Sequence, residues 1–232
     1  SRGNYDVIIN AVGILNRAAE EHKDQAVFLN AYLPHLLARL TKECKTRVFH
    51  MSTDCVFKGN TGPYTENSIP DGTTFYDRSK ALGELVDEKN LTLRCSIVGP
   101  DINEKGIGLF NWFMKQKGTV FGYTHAFWTG LATTELARLM LLAAENGATG
   151  LINLVPSRNI SKFDLLRLFN QSFRKNSVTI VPCDKVNLDK TLTRTNYTCP
   201  LPVKDYSEQI EDMRSWVCTH RNLYPNYAEV LV

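Results

Sequence analysis

The chain has 232 residues, 27 basic against 24 acidic side chains, 43% apolar residues and 14 glycines, the composition of an ordinary folded protein rather than a disordered or collagen-like one. Its net charge of +3 is dispersed, with neither a run of five like charges nor a basic stripe interleaved with aromatics, so no nucleic-acid partner is expected. No apolar run approaches the roughly 20 residues that cross a bilayer, so no membrane association is expected; the six scattered cysteines lack zinc-ligand spacing and read as free thiols in a reducing cytoplasm, with no bound metal.

Residues 5–12 are a continuous apolar run of the kind a buried parallel strand requires, and interior strands rarely open a fold. A helical region follows over 18–44, with a break expected near Pro34, which lacks a backbone donor. A second buried strand, 47–52, ends in the polar triplet Ser52, Thr53 and Asp54. Residues 58–74 are rich in Gly, Pro, Asn, Asp and Thr and read as a long surface loop. A helix over 74–88 and a third strand over 91–98 complete an alternation of strand and helix. That order predicts an α/β fold: a Rossmann-like, doubly wound parallel sheet with right-handed crossovers.

Beyond Gly99 the sequence predicts a helix over 108–117, an aromatic-rich stretch with Phe121, Tyr123, Phe127 and Trp128, and a helix over 133–146. A short strand over 150–155, a helix opened by Ser161, a Pro- and Thr-rich stretch over 182–202 and a helix over 207–221 follow. The domain reading is a dinucleotide-binding part over 1–98, a substrate lobe beginning at 99–127, a return to the first domain over 128–155, and a C-terminal substrate lobe over 156–232.

Tyr76 and Lys80, four residues apart on the predicted helix, share one face about one turn apart. An ammonium beside a phenol favours the phenolate and is expected to draw the Tyr76 pKa down toward working pH, which suits proton transfer to a substrate oxygen. Ligands of open α/β sheets sit beyond the carboxyl ends of the strands. The hydroxyl of Thr53 and the carboxylate of Asp54 stand at such an end.

Residues 51–66, with their Ser-Thr-Asp strand end and Gly-Pro-Tyr loop, and residues 76–84, with Tyr-x-x-x-Lys followed by Gly-Glu, resemble the dTDP-4-dehydrorhamnose reductase group of the extended short-chain dehydrogenases/reductases. The resemblance extends through Asn10, Ala11, Val12, Asn30, Arg94, Ser96 and 127–130. It implies that Tyr76 is the general acid, that Lys80 holds the nicotinamide ribose, that Thr53 orients the substrate carbonyl and that Asp54 supports the site. It implies that Asn10, Ala11, Val12, Ser52, Arg94 and Ser96 line a NADPH or NADH cofactor. The implied substrate is a nucleotide-linked 4-keto-6-deoxy sugar, and the implied setting is cell-surface polysaccharide biosynthesis, with a homodimer plausible for the family.

Two features depart from that pattern. No G-x-G-x-x-G turn occurs in the 232 residues; with a buried strand at residue 5, this leads to the expectation that about 50–60 residues carrying the first strands of the sheet are missing from the chain. Ile97 stands where the group carries a tryptophan near the sugar, and Phe127 and Trp128 are read either as an aromatic wall for the substrate or as core packing. A sugar-nucleotide epimerase or dehydratase, and a non-catalytic regulatory scaffold of the same fold, are the alternative readings.

Overall fold

A computed structural model describes residues 5–227, which divide into two compact units. The first comprises 5–95, 142–154 and 190–200; the second comprises 96–141, 155–189 and 201–227. The boundaries therefore differ from those expected: the first unit is re-entered over 142–154 rather than 128–155, and once more over 190–200. The second return has a physical cause, because Leu192 forms a bridge to Tyr64 and the Tyr64 N–H donates to the Thr191 carbonyl at 2.8 Å.

The first unit holds a four-stranded sheet in the order β1 (Val7–Asn10), β2 (Arg47–Ser52), β3 (Leu91–Arg94) and β7 (Gly150–Asn153), all parallel. Val48, Phe49, Leu91, Leu93 and Ile152 are wholly buried in it, as expected of strands covered by crossover helices. Between β1 and β2 run α1 (Asn16–Glu21), α2 (Lys23–Ala26), a π-helical turn (Val27–Tyr32) and α3 (Leu33–Leu40). Pro34 is the second residue of α3, which continues the π-helical segment without leaving helical backbone; the irregularity expected near this proline is that segment, which ends two residues before it. The helix after the long loop is α4 (Phe75–Leu82), shorter than predicted, and Gly83 follows it.

The expected third strand divides between the units. β3 ends at Arg94, and Ile97–Val98 forms β4, which pairs with β6 (Leu131–Ala132) in the second unit. The second unit also contains α5 (Leu109–Met114), β5 (Thr119–Trp128), β8 (Ile160–Ser161), α7 (Lys162–Arg174), β9 (Thr179–Asp189) and α8 (Tyr206–Thr219). The aromatic-rich stretch is thus a ten-residue strand, β5, lying between β8 and β9. Phe110, Phe113, Phe169, Phe173, Trp128 and Met213 fill this unit's core. The helix α6 (Thr133–Glu145) contains the crossing from the second unit back to the first.

Candidate active site

The polar triplet at the end of β2 turns into a short 3-10 segment, Asp54–Val56. Thr53 caps it: its Oγ1 accepts from the Cys55 N–H at 3.1 Å and donates to Asp54 Oδ1 at 3.1 Å. Thr53 and Asp54 are both buried, and the Thr53 side chain is near enough to the Tyr76 phenol to favour its ionised form.

Tyr76 is placed by a well-defined helix start. Thr74 and Asp77 form a reciprocal capping box, each side chain taking the other's backbone N–H at 3.1 Å. The carboxylate of Glu20, on α1, accepts the Phe75 N–H at 2.6 Å. Ala19 and Ala26 pack against the Tyr76 ring, leaving it 8% exposed.

Lys80 lies one turn on, as the spacing requires, but its ammonium is directed elsewhere. Its Nζ donates to the Met51 carbonyl at 2.5 Å and lies 3.5 Å from His50 Nε2. The expected lowering of the Tyr76 pKa is therefore not found. Burial pushes the phenol above its ordinary value, Cys55, Asp54 and Asp77 add to the rise, and only the Thr53 hydrogen bond opposes it. Burial lowers Lys80 instead, to about 8, against the opposing influence of Glu84 and Cys95.

Among the other expected site residues, Asn10 is buried and its Nδ2 lies 3.2 Å from His50 Nδ1, while Ala11 and Val12 are exposed at the end of β1. Ser52 and Arg94 are committed to a buried cluster. Both Nε and Nη2 of Arg94 engage the Glu84 carboxylate, at 2.9 and 2.6 Å, and Ser52 Oγ donates to the same carboxylate at 2.6 Å. The Arg94 guanidinium also stands 5.0 Å from the Phe57 ring centre, and only 1% of the residue is exposed. These contacts occupy the groups expected to reach a cofactor.

Ser96, Phe127 and Trp128 belong to the second unit. Ser96 accepts the Leu131 N–H through its carbonyl at 2.9 Å, and Phe127 is half-buried. Trp128 is 4% exposed, with Lys162 over its ring and Tyr206 donating to its carbonyl at 3.1 Å. A side chain at Gly130 would strike the indole at 1.9 Å, so this glycine admits the ring to the core. The packing reading of Trp128 therefore holds over the aromatic-wall reading.

Asn30 is a site residue whose role the sequence did not reveal. Wholly buried in the π-helical turn, it accepts the Ile14 N–H at 2.9 Å, donates to the Ile14 carbonyl at 3.0 Å and donates to Ser79 Oγ at 3.1 Å. It thus joins the segment after β1 to the helix that carries Tyr76 and Lys80. His50 is the second such residue, and a lone histidine within an apolar strand was its only signal in the sequence.

A parallel sheet with crossover helices, and a Tyr–Thr pair with a buried lysine at the carboxyl end of β2, define an α/β protein of the Rossmann-like class. Residues 2–218 match the family model of the RmlD substrate binding domain. The chain belongs to that family, within the dTDP-4-dehydrorhamnose reductase group of extended short-chain dehydrogenases/reductases. It is similar to the structure of a hypothetical dTDP-4-dehydrorhamnose reductase from Sulfolobus tokodaii, with 27% identity and a TM-score of 0.70 over 86% of this chain and 77% of that one. It shares the fold of the dTDP-4-dehydrorhamnose reductase of Clostridium acetobutylicum, with 20% identity and a TM-score of 0.77 over 92% of this chain and 81% of that one. The fold is also that of the Bacillus anthracis dTDP-4-dehydrorhamnose reductase in complex with NADP, with 18% identity and a TM-score of 0.74 over 90% of this chain and 79% of that one. The spore coat polysaccharide biosynthesis protein SpsK of Bacillus subtilis is 33% identical over 88 residues, which are 36% of this chain and 31% of that protein. The match thus spans about a third of that relative's length.

Proposed function

We propose that the protein is a nicotinamide-dependent reductase of a nucleotide-linked 4-keto-6-deoxy sugar, acting in the synthesis of a cell-surface polysaccharide. The observation that carries this reading is the placement of Tyr76 and Lys80 one turn apart on α4, with the buried pair Thr53 and Asp54 at the carboxyl end of β2 and the Thr53 side chain acting on the Tyr76 phenol. The family membership and the similarity to the Sulfolobus tokodaii protein support it.

The donor set suits the nicotinamide end of such a cofactor. Lys80 has N–H groups beyond the one spent on Met51, and Asn10, Ala11 and Val12 supply a strand-end backbone beside it. Ser52 and Arg94, held by Glu84, brace the ends of β2 and β3 beneath that position. When bound, the nicotinamide supplies hydride to the keto carbon.

The chain's own part is to orient the carbonyl and deliver the proton. Thr53 Oγ1, held between the Cys55 N–H and the Asp54 carboxylate, is fixed beside the phenol at the end of β2. Because burial holds Tyr76 in its protonated form, the phenol keeps its proton until charge develops on the substrate oxygen, and then transfers it from Oη to that oxygen. The carbonyl thereby gains one hydride and one proton and becomes an alcohol.

The test is NADPH and NADH consumption by the full-length protein with dTDP-4-keto-6-deoxyglucose and its UDP and GDP counterparts. One equivalent of cofactor is expected to be oxidised per sugar, which separates a reductase from an epimerase or dehydratase. Tyr76→Phe is expected to retain cofactor binding and lose turnover by about 10²- to 10⁴-fold. Unchanged turnover in that variant, or no oxidation with any of the sugars, would overturn the reading.

A further inference from the structure

Behind Lys80 lie two polar side chains, Asn10 and His50, to which the proposed reaction assigns no step. Asn10 and His50 are register partners on the neighbouring strands β1 and β2 and are 3% and 0% exposed, and Lys80 reaches them from α4. Their contacts begin at a backbone group: the Val12 N–H donates to Asn10 Oδ1 at 3.3 Å. A backbone amide can only donate, so the Asn10 atom facing it is the oxygen and the atom 3.2 Å from His50 Nδ1 is the NH₂ group. Nδ1 must then accept, and a neutral imidazole in that position carries its hydrogen on Nε2.

That Nε2–H points at Lys80 Nζ, 3.5 Å away. A neutral amine meets both of its neighbours, donating to the Met51 carbonyl and accepting from His50. An ammonium meets only Met51 and opposes N–H to N–H. We propose that Asn10 and His50 are positioning residues that bias Lys80 toward its neutral amine, through a histidine tautomer set by the Val12 backbone N–H.

The surrounding charges agree with this assignment. Burial, Lys80 and His35 of α3 together hold His50 down at about 3, so it stays neutral across the range in which Lys80 titrates. Burial is also the largest influence lowering Lys80; Glu84, after α4, and Cys95, after β3, act in the opposite direction. Tyr76 is the titratable group one turn away on the same helix. If the reductase reading is taken as the basis, these contacts tie the protonation of the ribose-holding lysine to the strand-end segment beside the cofactor.

The test is made on the chain alone. Histidine ¹⁵N NMR at about pH 7 and about pH 9 is expected to show His50 as the Nε2–H tautomer. In Asn10→Asp the carboxylate can only accept, so the hydrogen is expected to move to Nδ1, and the Lys80 midpoint, read from lysine ¹³Cε shifts, to rise by about one pH unit or more. An Nδ1–H tautomer in the wild type overturns the proposal without any variant. An unchanged tautomer in a folded Asn10→Asp protein overturns it as well, since a charge effect alone raises Lys80 without moving the hydrogen. Neither cofactor nor sugar enters these measurements, so their failure leaves the reductase reading intact, and failure of the reductase assay leaves the tautomer assignment intact.

Discussion

Each buried ionisable group of the first unit carries its own requirement for a partner. Arg94 receives a two-point contact from Glu84, a geometry that compensates a guanidinium removed from water. His50 is satisfied instead by staying neutral. Its ordinary value of 6.5 falls to about 3 in the folded chain, so between those limits the unfolded chain binds the extra proton. Folding stability therefore falls as pH drops from 6.5 toward 3, with a slope of up to about 1.4 kcal/mol per pH unit from this residue. His50→Gln removes that slope, and urea midpoints at about pH 7 and about pH 4.5 are expected to fall less in the variant than in the wild type. An equal fall in both proteins would exclude a buried, neutral His50. At this scale the sequence exposed Tyr76, Lys80, Thr53 and Asp54, because their spacing and strand-end position are local properties. It concealed Glu84 as the partner of Arg94 and His50 as the neighbour of Lys80, since residue types do not reveal which side chains meet across 10 and 30 positions.

Among the elements, α4 is held at both ends. Its start is closed by the Thr74–Asp77 capping box and by Glu20, and its end abuts the π-helical turn. A Cβ at Gly83 would lie 1.9 Å from the Asn30 carbonyl oxygen and 3.1 Å from Pro34 Cγ. Helix propensity alone favours Gly83→Ala by up to about 1 kcal/mol, but here the clash is with backbone that cannot swing aside. Gly83→Ala is therefore expected to destabilise by roughly 1–3 kcal/mol in urea denaturation. Exchange of the Ile14 amide is expected to accelerate, because that amide depends on Asn30. Stabilisation by the alanine would show that this approach is not close. The sequence placed a break in the first helical region near Pro34; the structure has a π-helical turn there, ending at Tyr32, and within it Asn30 forms tertiary bonds to Ile14 and Ser79 that no local signal announces.

On the scale of the whole molecule, the first unit is assembled from three separate stretches of chain, and one carboxylate joins them. Glu66, in the long loop, accepts from the Asn153 N–H at 2.9 Å and from the Thr195 N–H and hydroxyl at 2.8 and 2.5 Å. Burial raises its pKa, but these bonds outweigh it and hold the carboxyl below the usual range, so its contribution is present above the ordinary carboxylate pKa and is lost as pH falls through the lowered value. Glu66→Ala leaves the Asn153 amide without its acceptor and is expected to cost about 2 kcal/mol. Trypsin cleavage at Lys190 and Arg194 is expected to quicken about tenfold or more in this variant. An unchanged digestion pattern would mean that 190–200 is held by its other contacts alone.

The alternation of apolar runs and helical segments was enough to settle an α/β fold with a parallel sheet, because strand burial and crossover handedness follow from local pattern and chirality. That Tyr76 and Lys80 lie one turn apart on one helix, and Thr53 at a strand end, was legible too, since one helix turn and one strand end are local features. The direction of the Lys80 ammonium, the commitment of Arg94 to Glu84, the burial of Trp128 and the return of 190–200 to the first unit were decided by tertiary structure. Each depends on which distant groups exclude water from one another, a property of the folded chain that no stretch of sequence carries by itself.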